Sequence, residues 1–418
     1  MKLKIAGLSQ LKPHTKLLIA TSGLFSVSFL GIQMLLKVLY MLRLDFGTEY
    51  IGWFLASSSL AYMSMGLPSG ALGARYGPRR IMIVGGLVST LGVAVLPLTE
   101  YVPLWLRDTW PILSQVAATA GWSMLSVNIV PTLTAMTSDQ TRTQAFSLNA
   151  VLQGAGMFLG TFVGGLMPGW FASLLGQSLD GPGPYRYALW VGAILSGLAI
   201  TPLLFSRPIE VTATGSRQER RGSFPIGPIV TTFIYVYVRH AGWATGRAFW
   251  NAYMDTDLHL STAWIGGIAS AGQAVAILAP LLNPWLARHR SNGWIAMVST
   301  LGVALSLLPL LIPHWVAAAI SQVIFVVVSA IWLPAVQSFQ MERVDPEWRS
   351  IGYGAVAMAM GSGFSSMSIA GGYIVAAAGY RSLFGVGIVI SLAAAAIMWG
   401  ILRHAARGPV VPAQEPAS

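Results

Sequence analysis

The stretch GALGARYGPRR, residues 70–80, joins two long apolar segments, residues 51–72 and 81–98. A hydrocarbon core of about 30 Å is crossed by about 20 helical residues, at a rise of about 1.5 Å each. Both flanking segments are close to that length, and the glycines between them allow a tight turn. The three arginines of the stretch place positive charge beside that turn. The stretch therefore predicts a helical hairpin that crosses a membrane twice and turns at its basic side.

Apolar segments of the same kind fill almost the whole chain. Of its 418 residues 55% are hydrophobic and only 9% are charged, whereas about a quarter of the residues of a soluble domain are charged. Counting outward from the first hairpin gives twelve runs: residues 17–42, 51–72, 81–98, 112–136, 145–171, 185–205, 229–253, 264–286, 294–312, 315–337, 351–378 and 383–402. The sequence predicts an all-α integral membrane protein with twelve transmembrane helices.

Basic residues are distributed unevenly between the connections. With a cytoplasmic N-terminus, eighteen Lys and Arg residues fall on the cytoplasmic side and four, Arg43, Arg107, Arg186 and Arg381, fall on the other. This is the positive-inside pattern. We therefore expect a multi-pass protein of the cell membrane with both termini in the cytoplasm. The net charge of +11 follows from the same pattern, so a nucleic-acid partner is not expected.

The longest polar interruption, SRPIEVTATGSRQERRGSF at residues 206–224, separates six runs from six. Its Ser, Thr, Gly and basic residues are typical of a cytoplasmic linker. We expect it to join six-helix bundles at residues 1–205 and 225–405, with a disordered cytoplasmic tail at 406–418. Features recur in the same order in both halves: Ile-Gly at 51 and 265, Pro at 131 and 334, and Gly-Gly at 164 and 371. Two such repeats are a common transporter plan, with the substrate site at their interface.

The first hairpin resembles the loop signature of the major facilitator superfamily, which lies between helices two and three. The matching residues are Gly70, Leu72, Arg75, Gly77 and Arg79. The chain departs from the signature at Pro78 and at Ala74, where the family has an aspartate that helps to latch its two halves together. The resemblance implies two pseudo-symmetric six-helix bundles around a central cavity, and a secondary transporter that works by alternating access.

The fifth run contains GAGMFLGTFVGGLMP, residues 154–168, with Gly156, Gly160 and Gly164 on one helical face. It is similar to the glycine-rich fifth helix of the superfamily, and small residues at this spacing favour close helix packing. The antiporter form of that helix has proline where Thr161 stands. These motif remnants favour an exporter, as in many drug and metabolite exporters of the superfamily.

Charges inside apolar runs are the strongest functional signal, because each adds about 2.5–3.5 kcal/mol to membrane insertion. The basic residues inside the runs are Lys37 in the first and Arg239 and Arg247 in the seventh. Lys37 lies near the end of its run, so it can equally reach the lipid headgroups. Basic residues in a cavity favour a small anionic or amphipathic organic solute over a cationic drug.

Polar residues at helical spacing extend this prediction. In the seventh run His240 to Asp255 follow steps of three and four residues, and Gln33 and Lys37 do so in the first. The resemblance implies that helices one, four, seven and ten line the cavity. We expect the substrate to contact Gln33, Lys37, Gln115, Trp122, His240, Trp243, Arg247, Asn251 and Gln337. Packing or interfacial roles are the alternative for the tryptophans.

The coupling mechanism is left open by the sequence. No Asp or Glu lies near the centre of a run, so the groups near the cavity that could titrate are His240 and Asp255. We assign Asp255 and Arg239 to coupling or gating. Proton antiport, exchange against a counter-anion and uniport all remain compatible with these residues.

Other functional classes are less well supported. A membrane scaffold or assembly factor on the same fold, or a lipid flippase, remains an alternative to solute transport. An integral membrane enzyme would need carboxylates or histidines clustered at one membrane face, and the sequence offers no such cluster. Without a glycine-lysine phosphate loop or any cysteine, we expect no cofactor and no metal. We expect a monomer.

Overall fold

The computed structural model describes residues 11–206, 225–345 and 348–407. Most of the predicted linker at 206–224 and of the predicted tail at 406–418 lies outside the described residues, so these boundaries stay predictions. The described part forms twelve long helices: α1 (Pro13–Arg43), α2 (Thr48–Tyr76), α3 (Pro78–Tyr101), α4 (Trp110–Met136), α5 (Asp139–Leu175), α6 (Gly183–Leu204), α7 (Ile226–Thr256), α8 (Thr262–His289), α9 (Asn292–Leu311), α10 (Trp315–Arg343), and α11 and α12, which together run over Arg349–Arg407. The predicted twelve-helix membrane fold is confirmed.

Two glycines with positive φ mark the tightest connections between helices. Gly77 ends α2 with φ 90°, a conformation that glycine adopts without a steric cost. Pro78 then takes the first position of α3. A backbone N–H at this position has no partner within the helix, so proline, which lacks the N–H, costs no hydrogen bond there. Gly379, with φ 77° and ψ 170°, separates α11 from α12. The turn at Gly77 is the one that the stretch at residues 70–80 predicts.

The helices differ in how apolar they are. Nine helical stretches of the described chain are long and apolar enough to cross a membrane, and one of them, Ile351–His404, contains both α11 and α12. The remaining two helices, α2 and α7, are less apolar because they carry polar side chains between the two halves. Thr48 of α2 donates to the carbonyl oxygen of Gly372 at 3.0 Å, and Arg247 of α7 lines a cavity.

The two halves, α1–α6 and α7–α12, pack together at one end of the bundle. We call the side with the Gly77 turn the basic face, and the other side the opposite face. Towards the opposite face, α2 packs on α11, where Ser59 donates to the carbonyl oxygen of Gly361 at 3.1 Å. There α5 also packs on α8, so closely that a Cβ added to Gly266 would lie 2.6 Å from the Cα of Gly165. These contacts close the opposite face.

Helix α1 is irregular where it faces the centre of the first half. Its segment Ser26–Gln33 is π-helical. This geometry is rare in proteins as a whole, and where it does occur it is often at a functional site. The segment packs on the glycine face of α5, where a Cβ on Gly31 would lie 2.5 Å from the Cα of Gly160. The glycines of α5 therefore serve close packing, as their spacing indicates, and Leu30 of the same segment reaches the cavity.

We expect Gly160→Ala to destabilise the protein, because the added Cβ would overlap the carbonyl oxygen of Val27 in α1. Overpacking of this kind costs about 1–3 kcal/mol, so the midpoint of thermal unfolding should fall by about 2 °C or more. Gly169→Ala in the same helix is the control, because nothing lies within 4 Å of its Cβ position. Differential scanning fluorimetry of the purified protein compares them, and equal midpoints would contradict the packing argument.

Candidate substrate cavity

A cavity lies between the two halves, with about 480 Å³ of space not filled by atoms, part of it open to solvent. Helices α1 and α5 of the first half and α7, α8 and α10 of the second half form its walls. The lining residues are Leu30, Met34, Leu35, Met157, Thr161, Gly246, Arg247, Trp250, Asn251, Ala269, Gln273, Gln322 and Val326. It lies at the interface of the two repeats, where carriers of this plan place their substrate site.

Arg247 is the charged residue that lines this cavity. Its side chain is half-buried, and within the described chain it has no hydrogen-bond or ion-pair partner. Asn251, one helical turn further along α7, lines the same wall. An arginine guanidinium has five N–H donors in a planar fork that matches a carboxylate or a phosphate. The guanidinium of Arg247 is therefore a strong anion-binding group that is free towards the cavity.

The remaining lining residues combine amides with apolar walls. Thr161 donates to the side-chain oxygen of Gln273 at 3.2 Å, across the junction of α5 and α8. Trp250 donates its indole N–H to the carbonyl oxygen of Ala318 at 3.2 Å, so it presents an apolar ring to the cavity. Thr161 and Gln273 are absent from the substrate contacts predicted from the sequence, because α5 and α8 are absent from the helices that the resemblance implies.

Lys37 of α1 lies one helical turn beyond the cavity-lining Met34 and is itself absent from the lining. It is only 7% exposed, and its ammonium lies over the ring of Phe54 at 5.8 Å from the ring centre. In the described part of the chain, Lys37 has no carboxylate partner.

Arg239, His240 and Trp243 lie in an aromatic cluster inside the second half. The guanidinium of Arg239 stacks on Trp332, with 3.9 Å from its central carbon to the ring centre. The His240 ring lies 5.0 Å from Trp332 and 5.5 Å from Trp243, and Trp243 donates to Ser329 at 2.9 Å. All three residues are absent from the lining of the cavity, although Trp243 shares a helix face with Arg247.

Asp255 lies at the end of α7 and joins the two halves. Both of its carboxylate oxygens accept hydrogen bonds from Arg43 of α1, each at 2.7 Å. Arg43 also donates to the carbonyl oxygen of Leu179 at 2.9 Å and to the Tyr185 hydroxyl at 3.2 Å. The Tyr185 hydroxyl in turn lies 2.8 Å from that of Thr262 in α8. This network holds the opposite face closed, and helical spacing in the sequence gives no sign that Arg43 is the partner of Asp255.

Four other predicted contacts lie away from the cavity lining. Gln33 donates to the carbonyl oxygen of Leu189 in α6 at 3.0 Å. The ring of Trp122 stacks on Phe25 and Phe29 at 5.5 and 5.3 Å. Gln115 is buried and its amide nitrogen has no described partner, and Gln337 is half-buried on α10.

The residues of the loop signature serve the basic face of the first half. Arg79 donates to the carbonyl oxygens of Leu203 and Leu204, at 3.1 and 2.7 Å, and so caps the end of α6. Arg75 lies over the ring of the neighbouring Tyr76 at 5.3 Å. Of the other signature residues, Gly70 lies near α4, Leu72 is half-buried and Gly77 forms the turn. In the described chain, no group of three or more His, Asp or Glu side chains is arranged to hold a metal.

Comparisons with known proteins agree with this architecture. The sequence model described as Major Facilitator Superfamily matches residues 19–252 and 231–417. The fold is similar to that of the nucleoside transporter NupG, at 17% identity and TM-score 0.71, over 93% of this chain and 100% of that chain. It is also similar to a D-xylose-proton symporter, at 15% identity and TM-score 0.73, over 93% and 97% of the two chains.

A third similar structure is a POT family transporter in complex with a thioalcohol conjugated peptide, at 15% identity and TM-score 0.70, over 94% of this chain and 96% of that chain. At such identities the likeness shows the fold alone. No curated protein sequence matches the chain significantly.

Proposed function

The chain belongs to the major facilitator superfamily of transporters, and we propose that it exports a small organic anion by alternating access. The observation that carries this proposal is the free guanidinium of Arg247 in a cavity between the two halves. A charge inside a transmembrane helix is costly, and charges that are retained there mark substrate or ion sites. An anionic substrate would supply the missing partner.

The cavity wall supports a substrate with both a charged and an apolar part. Arg247 and the side-chain amides of Asn251, Gln273 and Gln322 offer hydrogen bonds along one side. Most of the other lining side chains are apolar, with leucine, methionine, tryptophan and valine among them, and they favour a carbon skeleton over a bare inorganic ion. A carboxylate or phosphate ester of a small organic molecule fits this combination.

The likeness of residues 154–168 to the fifth helix of superfamily exporters supports export as the direction. The closed opposite face is compatible with import and export alike, because a carrier that works by alternating access passes through this conformation in both. We propose a monomer in the cell membrane with both termini in the cytoplasm, as the sequence predicts.

We expect Arg247→Ala to weaken anion binding by about 10- to 150-fold, because a hydrogen bond to a charged group contributes about 1.5–3 kcal/mol. Thermal-shift titrations of purified protein with benzoate, succinate, glucuronate and glycerol phosphate measure this. Benzamide and glucose are neutral counterparts that should not stabilise the wild type. Arg247→Lys keeps the charge without the planar fork, so we expect it to retain part of the affinity.

Arg381→Ala is the matched control, because Arg381 is exposed near the start of α12 and is absent from the cavity lining. It should leave every anion-induced shift unchanged. Stabilisation that is equal in wild type and Arg247→Ala would remove the basis of the proposed site. If the folded protein neither binds nor moves any anion, a scaffold role on the same fold becomes the better interpretation, and transport of a phospholipid analogue would favour a flippase.

A further inference from the structure

We infer that the substrate is a ring-bearing monocarboxylate with hydroxyl groups along one edge. The inference rests on the proposed function, since it concerns the same cavity. It goes beyond it by naming the substrate class, which follows from how charge, hydrogen-bonding groups and apolar side chains are divided between the two halves.

The hydrogen-bonding groups of the cavity lie almost entirely on the second half. Arg247 and Asn251 line it from α7, Gln273 from α8 and Gln322 from α10. Helices α8 and α10 pack together at this level, because a Cβ added to Gly272 would lie 3.6 Å from the Cγ of Gln322. The second half therefore offers one guanidinium and three side-chain amides to one side of a bound molecule.

The first half lines the cavity with apolar side chains. Leu30, Met34 and Leu35 come from α1, and Met157 comes from α5. Thr161 of α5 is the polar exception, and its hydroxyl is already donated across the junction with α8. Leucine and methionine offer no strong hydrogen-bonding group, and methionine thioethers make favourable contacts with aromatic rings. This wall therefore fits the apolar face of a ring.

The charge of the lining fits a substrate with a single carboxylate. Arg247 is charged, and the other lining residues are neutral. One carboxylate neutralises the guanidinium and accepts two parallel hydrogen bonds from it. A second carboxylate would stay unpaired when water leaves the cavity during the crossing, which is costly. A phosphate monoester meets the same difficulty, because its charge near pH 7 is about −1.5 to −2.

The amides of the lining require a substrate that also donates hydrogen bonds. A side-chain amide has two N–H donors and a carbonyl oxygen that accepts. Within the described chain, Asn251 and Gln322 have no hydrogen-bond partner. A carboxylate only accepts, so it would leave both amide oxygens unpaired once water is lost, and this is costly. Hydroxyl groups donate as well as accept, so they satisfy these amides.

Isothermal titration calorimetry of the purified protein at neutral pH tests this inference with four ring compounds. 3,5-Dihydroxybenzoate has one carboxylate and two hydroxyls that stay neutral. Benzoate lacks the hydroxyls, 5-hydroxyisophthalate has a second carboxylate in place of one hydroxyl, and 3,5-dihydroxybenzamide has no charge. We expect 3,5-dihydroxybenzoate to bind most tightly. Benzoate should bind at least about fivefold more weakly, because each neutral hydrogen bond contributes about 2- to 12-fold.

The other compounds test the charge and the ring. The dianion 5-hydroxyisophthalate and the neutral 3,5-dihydroxybenzamide should each bind at least about tenfold more weakly than 3,5-dihydroxybenzoate, because each leaves one charge unpaired in the complex. Gluconate has one carboxylate and several hydroxyls but no ring. It should bind at least about fivefold more weakly, since it buries little apolar surface against the first half.

A substitution in the second half isolates the role of the amides. Gln322→Leu removes an amide and keeps a similar volume, so the preference for 3,5-dihydroxybenzoate over benzoate should fall at least about twofold while benzoate still binds. Gln144→Leu is the matched control, because Gln144 is exposed on α5 and absent from the lining. An unchanged preference in Gln322→Leu would overturn the assignment of the hydroxyls to the second half. The wild-type series decides on the substrate class even where Gln322→Leu proves unstable.

The outcomes separate the inference from the function on which it rests. Equal affinities for 3,5-dihydroxybenzoate and benzoate, or for 3,5-dihydroxybenzoate and gluconate, would overturn the inference and leave anion binding standing. Tighter binding of 5-hydroxyisophthalate would also overturn it, because a second cation would then reach the substrate. If none of these carboxylates binds in a manner that Arg247→Ala weakens, both the proposed function and the inference fail.

Discussion

Replacing Gly266 with leucine should hold the opposite face open and abolish transport. Helices α5 and α8 touch there through their backbones, because a Cβ on Gly266 would lie 2.6 Å from the Cα of Gly165, and one on Gly165 would lie 2.8 Å from the Cα of Gly266. Small residues at such crossings allow close helix approach. A leucine side chain cannot fit between two backbones at this distance, so the closed conformation is lost while each half can still fold.

The measurement uses the absence of cysteine from the chain. In a Ser365→Cys background, the reporter is buried between α11 and α2, where Ser365 donates to the carbonyl oxygen of Ala56 at 3.3 Å. Overpacking costs about 1–3 kcal/mol, which shifts a two-state equilibrium by about 5- to 150-fold. The rate of maleimide labelling should rise by a factor in that range in Gly266→Leu.

The adjacent glycine provides the control for this substitution. Nothing lies within 4 Å of a Cβ on Gly267, so Gly267→Leu should leave both the labelling rate and the transport rate close to those of the background. Slow labelling in Gly266→Leu would contradict the interpretation that α5 and α8 meet at a closed gate. Loss of folding in both variants, seen by size-exclusion chromatography, would show that leucine harms α8 itself.

The fold was predictable from the sequence because a bilayer imposes a simple rule. Each helix must be about 20 apolar residues long, and the connections must place basic residues on one side. All twelve runs correspond to helices of the structure, and the turn at Gly77 lies in the stretch that predicts it. The family resemblance at residues 70–80 agrees with the sequence model that matches the chain.

The cavity was only partly predictable, and α1 shows why. Ser26, Gln33 and Lys37 share one face if the helix is regular, but Ser26–Gln33 is π-helical, and its wider turns change which way successive side chains point. Gln33 consequently bonds to Leu189 in α6, whereas Lys37 lies over Phe54 of α2. Regular helical spacing therefore cannot predict which side chains of this π-helical segment reach the cavity.

The contacts between the two halves could not be predicted from the sequence either. Gln273 and Thr161 meet across the junction of α5 and α8, and Arg43 meets Asp255 although 212 residues separate them. Both pairs depend on how two independently built bundles are placed against each other. Arg247 and Asn251, by contrast, are adjacent turns of one regular helix, and both reach the cavity as their spacing predicts.

Arg43→Met should open the opposite face more than Asp255→Asn does. The side chain of Asp255 is 4% exposed, so removing Arg43 leaves a buried carboxylate without its ion pair, which costs about 3–5 kcal/mol. Asp255→Asn removes the charge instead and leaves Arg43 its bonds to the Leu179 carbonyl oxygen and the Tyr185 hydroxyl. Labelling of Ser365→Cys should therefore rise most in Arg43→Met and less in Asp255→Asn.

The double variant tests whether the effect belongs to the ion pair. Combining Arg43→Met with Asp255→Asn removes the unpaired carboxylate, so labelling should fall below that of Arg43→Met alone, whereas independent effects would add. Glu100→Gln is the matched control, because Glu100 pairs with Arg186 at 2.9 Å within the first half and does not join the halves. If Glu100→Gln raised labelling as much as Asp255→Asn, loss of any buried charge would open the face, and Arg43 and Asp255 would not be its specific fastening.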